Sequence, residues 1–109
     1  MKLAIIGSRK IKNIDIGKYI SDEVTEIVSG GAVGVDTCAA EYAIAHGIKL
    51  VEFLPQYEIY GRAASIYRNK KIVDYADAVL AFWDGSSKGT RSVISYAKKI
   101  NKDCQIVLI

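Results

Sequence analysis

Apolar runs and helical periodicities alternate along the whole chain. Continuous apolar runs predict five strands, and the stretches with apolar residues every three or four positions predict four helices. The predicted strands cover residues 2–6, 25–29, 48–54, 77–83 and 104–109. The predicted helices cover residues 14–23, 34–46, 62–75 and 89–101.

Strict alternation of strands and helices favours parallel strands, because each parallel connection needs a crossover helix. The unbroken apolar runs at 79–83 and 106–109 are typical of strands that are covered on both faces. We therefore predict an α/β fold, a Rossmann-like three-layer sandwich with helices on both faces of a five-stranded parallel sheet in the order 3-2-1-4-5. A length of 109 residues predicts one domain, residues 1–109.

Composition narrows the class of protein further. No apolar stretch approaches the length of a transmembrane helix, and the N-terminus lacks a signal-peptide pattern, so we expect a cytoplasmic protein without membrane contact. Cys38 and Cys104 show no metal-type spacing, and we predict reduced, structural thiols and neither a metal nor a cofactor. The net charge of +3 is too small to indicate nucleic-acid binding by itself.

Glycine-bearing polar loops follow three of the predicted strands. They are Gly7-Ser8-Arg9, the stretch from Ser29 to Asp36, and the stretch from Asp84 to Thr90. Because the loops after parallel strands lie at one edge of the sheet, they predict one shared ligand site. Glycines there allow backbone N–H groups and a helix N-terminus to bind phosphate without a charged side chain.

Two familiar nucleotide motifs match these loops incompletely. The middle loop has the spacing of a dinucleotide fingerprint with Ser29 in place of the first glycine, and Glu52 follows about twenty residues later. That loop follows the second strand, however, and no substrate domain follows, which disfavours a nicotinamide dehydrogenase. The third loop is not a Walker A motif, because Lys88 precedes Gly89. Its Thr90 suits either helix capping or an anion.

Side chains near the loops indicate an anionic partner, the alternative being scattered surface charges. Arg68 suits a bidentate contact with phosphate or carboxylate. Asn69 interrupts an apolar stripe and needs a hydrogen-bond partner, for which a loop carbonyl is the first candidate. Asp36 suits a helix N-terminus and also a ribose hydroxyl. The cations in or near the loops are Arg9, Lys10, Lys12, Arg62, Arg68, Lys88 and Arg91.

The segment 55–61 is predicted to be the one long loop between strands. It contains Tyr57 and Tyr60, which suit either a lid that stacks on a base or packing at the surface or in a dimer. The sequence leaves both alternatives open.

Taken together, the three loops, Arg68-Asn69 and Ala76-Asp77 resemble the SLOG superfamily, which includes the Lonely Guy phosphoribohydrolases and the DNA-processing protein A domain. The resemblance implies a site for a nucleotide or nucleotide-derived ligand, held through phosphate and ribose, and a homodimer. The implied ligand-binding residues are Gly7, Ser8, Arg9, Ser29, Gly30, Gly31, Gly34, Asp36, Arg68, Asn69, Asp84, Gly85, Lys88, Gly89 and Thr90.

Three functions follow from the resemblance. The first is a nucleotide sensor or binding module without catalysis, since Val93 stands where Lonely Guy enzymes carry a catalytic glutamate. The second is a nucleoside-monophosphate hydrolase that uses Asp36, Glu41 or Asp84 as its acid. The third is single-stranded DNA binding as in DNA-processing protein A, which the low net charge disfavours.

Overall fold

The computed structural model describes residues 1–109 and contains a parallel five-stranded sheet. The strands are β1 (Lys2–Gly7), β2 (Glu26–Ser29), β3 (Lys49–Glu52), β4 (Ala78–Trp83) and β5 (Asp103–Leu108). The helices are α1 (Val35–Ala45), α2 (Tyr57–Tyr60), α3 (Ala64–Tyr75) and α4 (Lys88–Lys99), with 3-10 turns at Ile16–Tyr19 and Gly61–Ala63. None of the helices is long and apolar enough to cross a membrane.

The strand order is β3-β2-β1-β4-β5, which confirms the predicted topology and the Rossmann-like α/β class. β1 lies at the centre, where Ala4 pairs with Val28 of β2 and with Val79 of β4. The order reverses direction at β1, because the chain first builds outward through β2 and β3 and then crosses to β4. In such sheets ligands bind at the carboxyl edge beside this reversal.

Alternate strand residues face two separate cores. On one face α1 packs through Val35, Ala39 and Ala43 on strand residues that include Ile5 and Ile27. The other face is covered by α3 and α4, whose packed residues are Ile72, Val73, Val93, Ile94 and Ala97. The three layers are therefore held by apolar burial on both sides of the sheet.

The predicted helix at 14–23 is wrong. Only Ile16–Tyr19 is helical, as a single 3-10 turn. Gly17 and the surrounding β-branched isoleucines lower helix propensity there, and the contacts favour an irregular segment. Ile16 is buried, and the Tyr19 ring packs edge-on against Phe82 at 5.3 Å between centroids.

The segment 55–61 is not one long loop as predicted. Tyr57–Tyr60 forms one turn of α-helix, and a 3-10 turn at Gly61–Ala63 leads directly into α3. None of the four residues of α2 is buried, so this turn lies on the surface beside the carboxyl edge of the sheet.

Candidate functional site

A cleft of about 530 Å³ opens at the carboxyl edge of the sheet, between the loops after β1, β2 and β4 and one side of α3. We call it the edge cleft. Its volume lies within the usual range of small-ligand sites. Most of the predicted site residues line it, namely Gly7, Ser8, Arg9, Gly30, Asp36, Arg68, Asn69, Asp84, Gly89 and Thr90.

The other predicted site residues lie outside the lining. Ser29 is buried behind the middle loop, where its Oγ accepts the Gly31 N–H at 3.2 Å. Gly34 has φ +81°, and a Cβ there would lie 2.5 Å from the Arg9 carbonyl oxygen. Its missing side chain therefore lets the first loop pack on the start of α1. Gly85 and Lys88 are exposed on the third loop and at the start of α4.

Several lining residues were not predicted as part of the site. The apolar part of the wall is formed by Ile6, Ala32, Ile72 and Val93, and the polar part gains Lys10, Ser65, Ser86 and Ser87. Helical spacing could have found two of these, because Ser65 and Ile72 lie three residues before and four residues after Arg68 on one side of α3.

Arg68 makes its hydrogen bonds within the protein, mainly to backbone carbonyl groups. Its Nη1 donates to the Gly30 carbonyl at 2.7 Å and to the Phe53 carbonyl at 3.5 Å. Its Nε donates to Asn69 Oδ1 at 2.8 Å, so the partner of Asn69 is this guanidinium and not the loop carbonyl expected from sequence. The arginine thus fixes the middle loop, and only Nη2 has no acceptor within the chain.

Asp36 holds the same loop from the start of α1. Its carboxylate Oδ2 accepts the Ala32 N–H at 3.1 Å. The side chain is almost fully buried, and this desolvation raises the pKa of Asp36, although the Ala32 N–H and the charge of Arg68 oppose the rise. Burial likewise lowers the pKa of Arg68, which the charge of Asp36 opposes. The middle loop is therefore held between a buried carboxyl group and a half-buried guanidinium.

Asp84 joins the first loop to the third. Its Oδ1 accepts the Ser86 and Ser87 N–H groups at 2.9 and 2.8 Å. Its Oδ2 accepts the Ser8 hydroxyl at 3.3 Å. The two backbone hydrogen bonds lower the pKa of Asp84, so this carboxylate stays charged while it orders the rim of the cleft.

The start of α4 presents free donors to the edge cleft. The N–H groups of Lys88, Gly89 and Thr90 have no acceptor within the chain, and Gly89 and Thr90 line the cleft. The Ser87 side chain makes no capping bond, and its hydroxyl instead donates to Thr90 Oγ1 at 3.3 Å. Unpaired donors at a helix N-terminus favour an anion.

The exposed cations of the edge cleft form no ion pairs. The only ion pair of the chain joins Lys49 and Glu26 at 3.4 Å, at the first residues of β3 and β2 and therefore at the opposite edge of the sheet. Arg9 and Lys10 line the cleft with exposed side chains. Arg91, in the first turn of α4, lies over the Trp83 ring at 5.6 Å. Positive charge is therefore available at this edge for a ligand.

Two of the three acids proposed for hydrolysis lie at the edge cleft, and the loop backbone already uses both. Asp36 and Asp84 line the edge cleft, and both accept hydrogen bonds from loop backbone. Glu41 is exposed on α1 and does not line it. Val93 forms part of the apolar wall, so the position of the Lonely Guy glutamate faces the cleft with a hydrocarbon side chain.

Comparison with known proteins identifies a family and a similar bacterial protein. Residues 1–58 match the family model described as DNA recombination-mediator protein A. The chain is 35% identical over 63 residues to the uncharacterized SPbeta prophage-derived protein YoqJ of Bacillus subtilis (strain 168), a match that covers 51% of this chain and 37% of that protein.

A solved structure of DNA processing protein A from Helicobacter pylori has the same fold. The two structures agree with a TM-score of 0.77 at 23% sequence identity, over 97% of this chain and 64% of the other. The H. pylori protein was studied for its single-stranded DNA binding mode. The present chain thus spans less than two thirds of the length of either relative.

Proposed function

The chain belongs to the DNA recombination-mediator protein A family, and from that premise we propose that it binds single-stranded DNA at the edge cleft. The edge cleft binds one nucleotide of the DNA strand through its phosphate, and the nearby cations bind the neighbouring phosphates. The H. pylori relative, which was studied for binding single-stranded DNA, supports the choice of ligand.

One observation carries the proposal. Arg9 and Lys10 line the edge cleft without ion pairs, and so do Gly89 and Thr90, whose N–H groups have no acceptor within the chain. The net charge of the whole chain is low, but phosphate binding depends on the charges close to the site. Charges farther away are screened, because the Debye length is only about 8 Å at physiological salt. The positive charge lies where the loops converge.

A charge-matched pair of double variants tests the proposal. Arg9→Ala/Lys10→Ala removes two cations from the cleft, and Lys98→Ala/Lys99→Ala removes two from the last turn of α4 at the other edge of the sheet. Fluorescence anisotropy with a labelled thymidine 20-mer measures affinity at several salt concentrations.

We expect the cleft variant to bind about tenfold more weakly and to show a shallower slope of log affinity against log salt, because each phosphate contact contributes about 0.7 to that slope for single strands. The α4 variant keeps most of the affinity. Equal losses in the two variants would instead indicate general charge attraction and contradict a site in the cleft.

A free nucleotide is the second candidate ligand. The size of the edge cleft favours it, since polar groups from three loops converge on a volume suited to a mononucleotide. Competition decides between the two ligands. If AMP, CMP or ADP-ribose at millimolar concentration displaces the labelled strand and raises the melting temperature by several degrees, the cleft is a nucleotide site. Assay of the same mixtures for free base tests the hydrolase alternative.

A further inference from the structure

A second cavity lies next to the edge cleft, on the other side of Arg68. It measures about 380 Å³, and we call it the tyrosine pocket. Its walls include Leu54 and Pro55 after β3 and Tyr60 and Tyr67 from α2 and α3. Arg68 lines both cavities, so the two are adjacent.

The tyrosine pocket is bordered by apolar surface that the chain leaves uncovered. Leu54 is 64% exposed and Tyr67 is 45% exposed. Ile59 of α2 and Ile66 of α3 are also among the exposed large apolar side chains. Exposed apolar side chains that cluster beside a polar cleft are typical of a binding surface.

We propose that the tyrosine pocket binds a nucleobase of the same strand whose phosphate lies in the edge cleft, an inference that rests on the proposed function. The rings of Tyr60 and Tyr67 already stack on each other, with centroids 4.3 Å apart and planes at 30°. Tyr67 remains exposed, and an aromatic face next to a phosphate site suits base stacking of any sequence.

Polar groups at the rim favour a base over a purely apolar partner. Lys71 Nζ donates to Gln56 Oε1 at 3.3 Å, which leaves the amide N–H groups of Gln56 without an acceptor in the chain. The ammonium of Lys71 also lies 6.0 Å from the centre of the Tyr60 ring. A base offers both a flat π-face for the tyrosines and hydrogen-bonding edges for these groups.

Two DNA oligomers and two measurements, binding affinity and photocrosslinking, test the base site. Thymidine 20-mers with and without a central abasic stretch are titrated into Tyr67→Leu, Tyr67→Phe and Tyr57→Leu, and each binding curve is compared with that of the unmodified protein. Tyr57→Leu is the matched control, because Tyr57 is 57% exposed and does not line the pocket. In parallel, a strand carrying 5-iododeoxyuridine is photocrosslinked to the unmodified protein and the adducts are mapped by mass spectrometry.

We expect Tyr67→Leu to weaken binding of the full strand about tenfold, in the range of base–aromatic stacking, and to leave the abasic strand unaffected. Tyr67→Phe and Tyr57→Leu keep the affinity, and the crosslink falls on Tyr60 or Tyr67. Equal weakening of both strands, or adducts only outside the pocket, would overturn the base site.

The same experiment separates this inference from the proposed function. If binding depends on Arg9 and Lys10 but Tyr67→Leu has no effect, the cleft stands and the base site is refuted. If Tyr67→Leu lowers the molar mass in light scattering without changing strand affinity, the pocket is covered by a second copy and the base site is again refuted. If no strand binds at all, both proposals fail.

Discussion

The guanidinium of Arg68 occupies the space that a side chain at position 30 would need. A Cβ at Gly30 would lie 2.9 Å from Arg68 Cζ and 3.1 Å from Asp36 Oδ2. Gly30→Ala must therefore push the guanidinium off the Gly30 carbonyl, to which it donates at 2.7 Å. The two positions should be energetically coupled.

The magnitudes follow from the hydrogen bonds. Arg68→Ala removes a charged hydrogen bond worth about 1.5–3 kcal/mol and leaves a carbonyl without its donor, so we expect a loss of about 3 kcal/mol of unfolding free energy. Gly30→Ala alone should lower the unfolding free energy by about 2 kcal/mol. It displaces the same hydrogen bond, and the lower entropy of the unfolded chain offsets only about 0.4–1 kcal/mol of that loss. The double variant should cost about 3 kcal/mol, which gives a coupling energy of about 2 kcal/mol.

Urea unfolding followed by fluorescence of Trp83, the single tryptophan, measures the cycle. Gly89→Ala is the matched control, because a Cβ at this helical glycine meets nothing within 4 Å and should stabilise by about 0.5–1 kcal/mol. Additive losses at positions 30 and 68, within about 0.5 kcal/mol, would refute the role of Arg68 as the support of the middle loop.

Three further predictions concern pH, backbone strain and assembly. Burial raises the pKa of Asp36, so the folded state binds a proton at this carboxyl group more readily than the unfolded state does. The contribution of Asp36 to stability therefore falls as pH rises through the raised pKa. In urea unfolding, Asp36→Asn should be more stable than the unmodified protein at pH 7.5, and the gain should be smaller at pH 4.5. Gly34→Ala should cost about 1–3 kcal/mol in the same assay and weaken strand binding, because φ is +81° and the Arg9 backbone fills the space, whereas unchanged values would contradict that packing. The family resemblance predicts a homodimer, which light scattering would show as twice the mass of 11.9 kDa, and a monomer at all concentrations would contradict it.

The central strands could be predicted from the sequence because β1 and β4 are buried on both faces, whereas the apolar run 106–109 of the edge strand β5 is largely exposed, contrary to the prediction. The apolar runs of the central strands are continuous, and the alternation of strands with helical segments predicted the strand order, which is confirmed together with the SLOG resemblance. The error at 14–23 arose because apolar residues recur there at helical intervals. Packing of Ile16 and Tyr19 on the sheet decides the conformation instead, and local periodicity does not report it.

The convergence of the three loops at one edge of the sheet could be predicted, but their hydrogen bonds could not. Glycine-bearing loops after parallel strands must meet at one edge, which placed Gly7, Gly30 and Gly89 correctly beside the edge cleft. The sequence does not show that Arg68 is committed to the Gly30 carbonyl, because the two residues lie far apart along the chain and meet only through the fold. Single-stranded DNA, the least favoured of the three functions by net charge, is the one that the family supports best, because the net charge of a whole chain does not report which charges line a site.

The central claim is that a single strand of DNA binds at the edge cleft, and amide chemical shifts test it most directly. Titration of the ¹⁵N-labelled protein with a thymidine oligomer should move the amide signals of Arg9, Lys10, Gly89 and Thr90 most. The signals of the last turn of α4 and of the first residues of β5, at the other edge of the sheet, should stay in place. Shifts confined to those distant elements, or none at saturating strand, would contradict the claim.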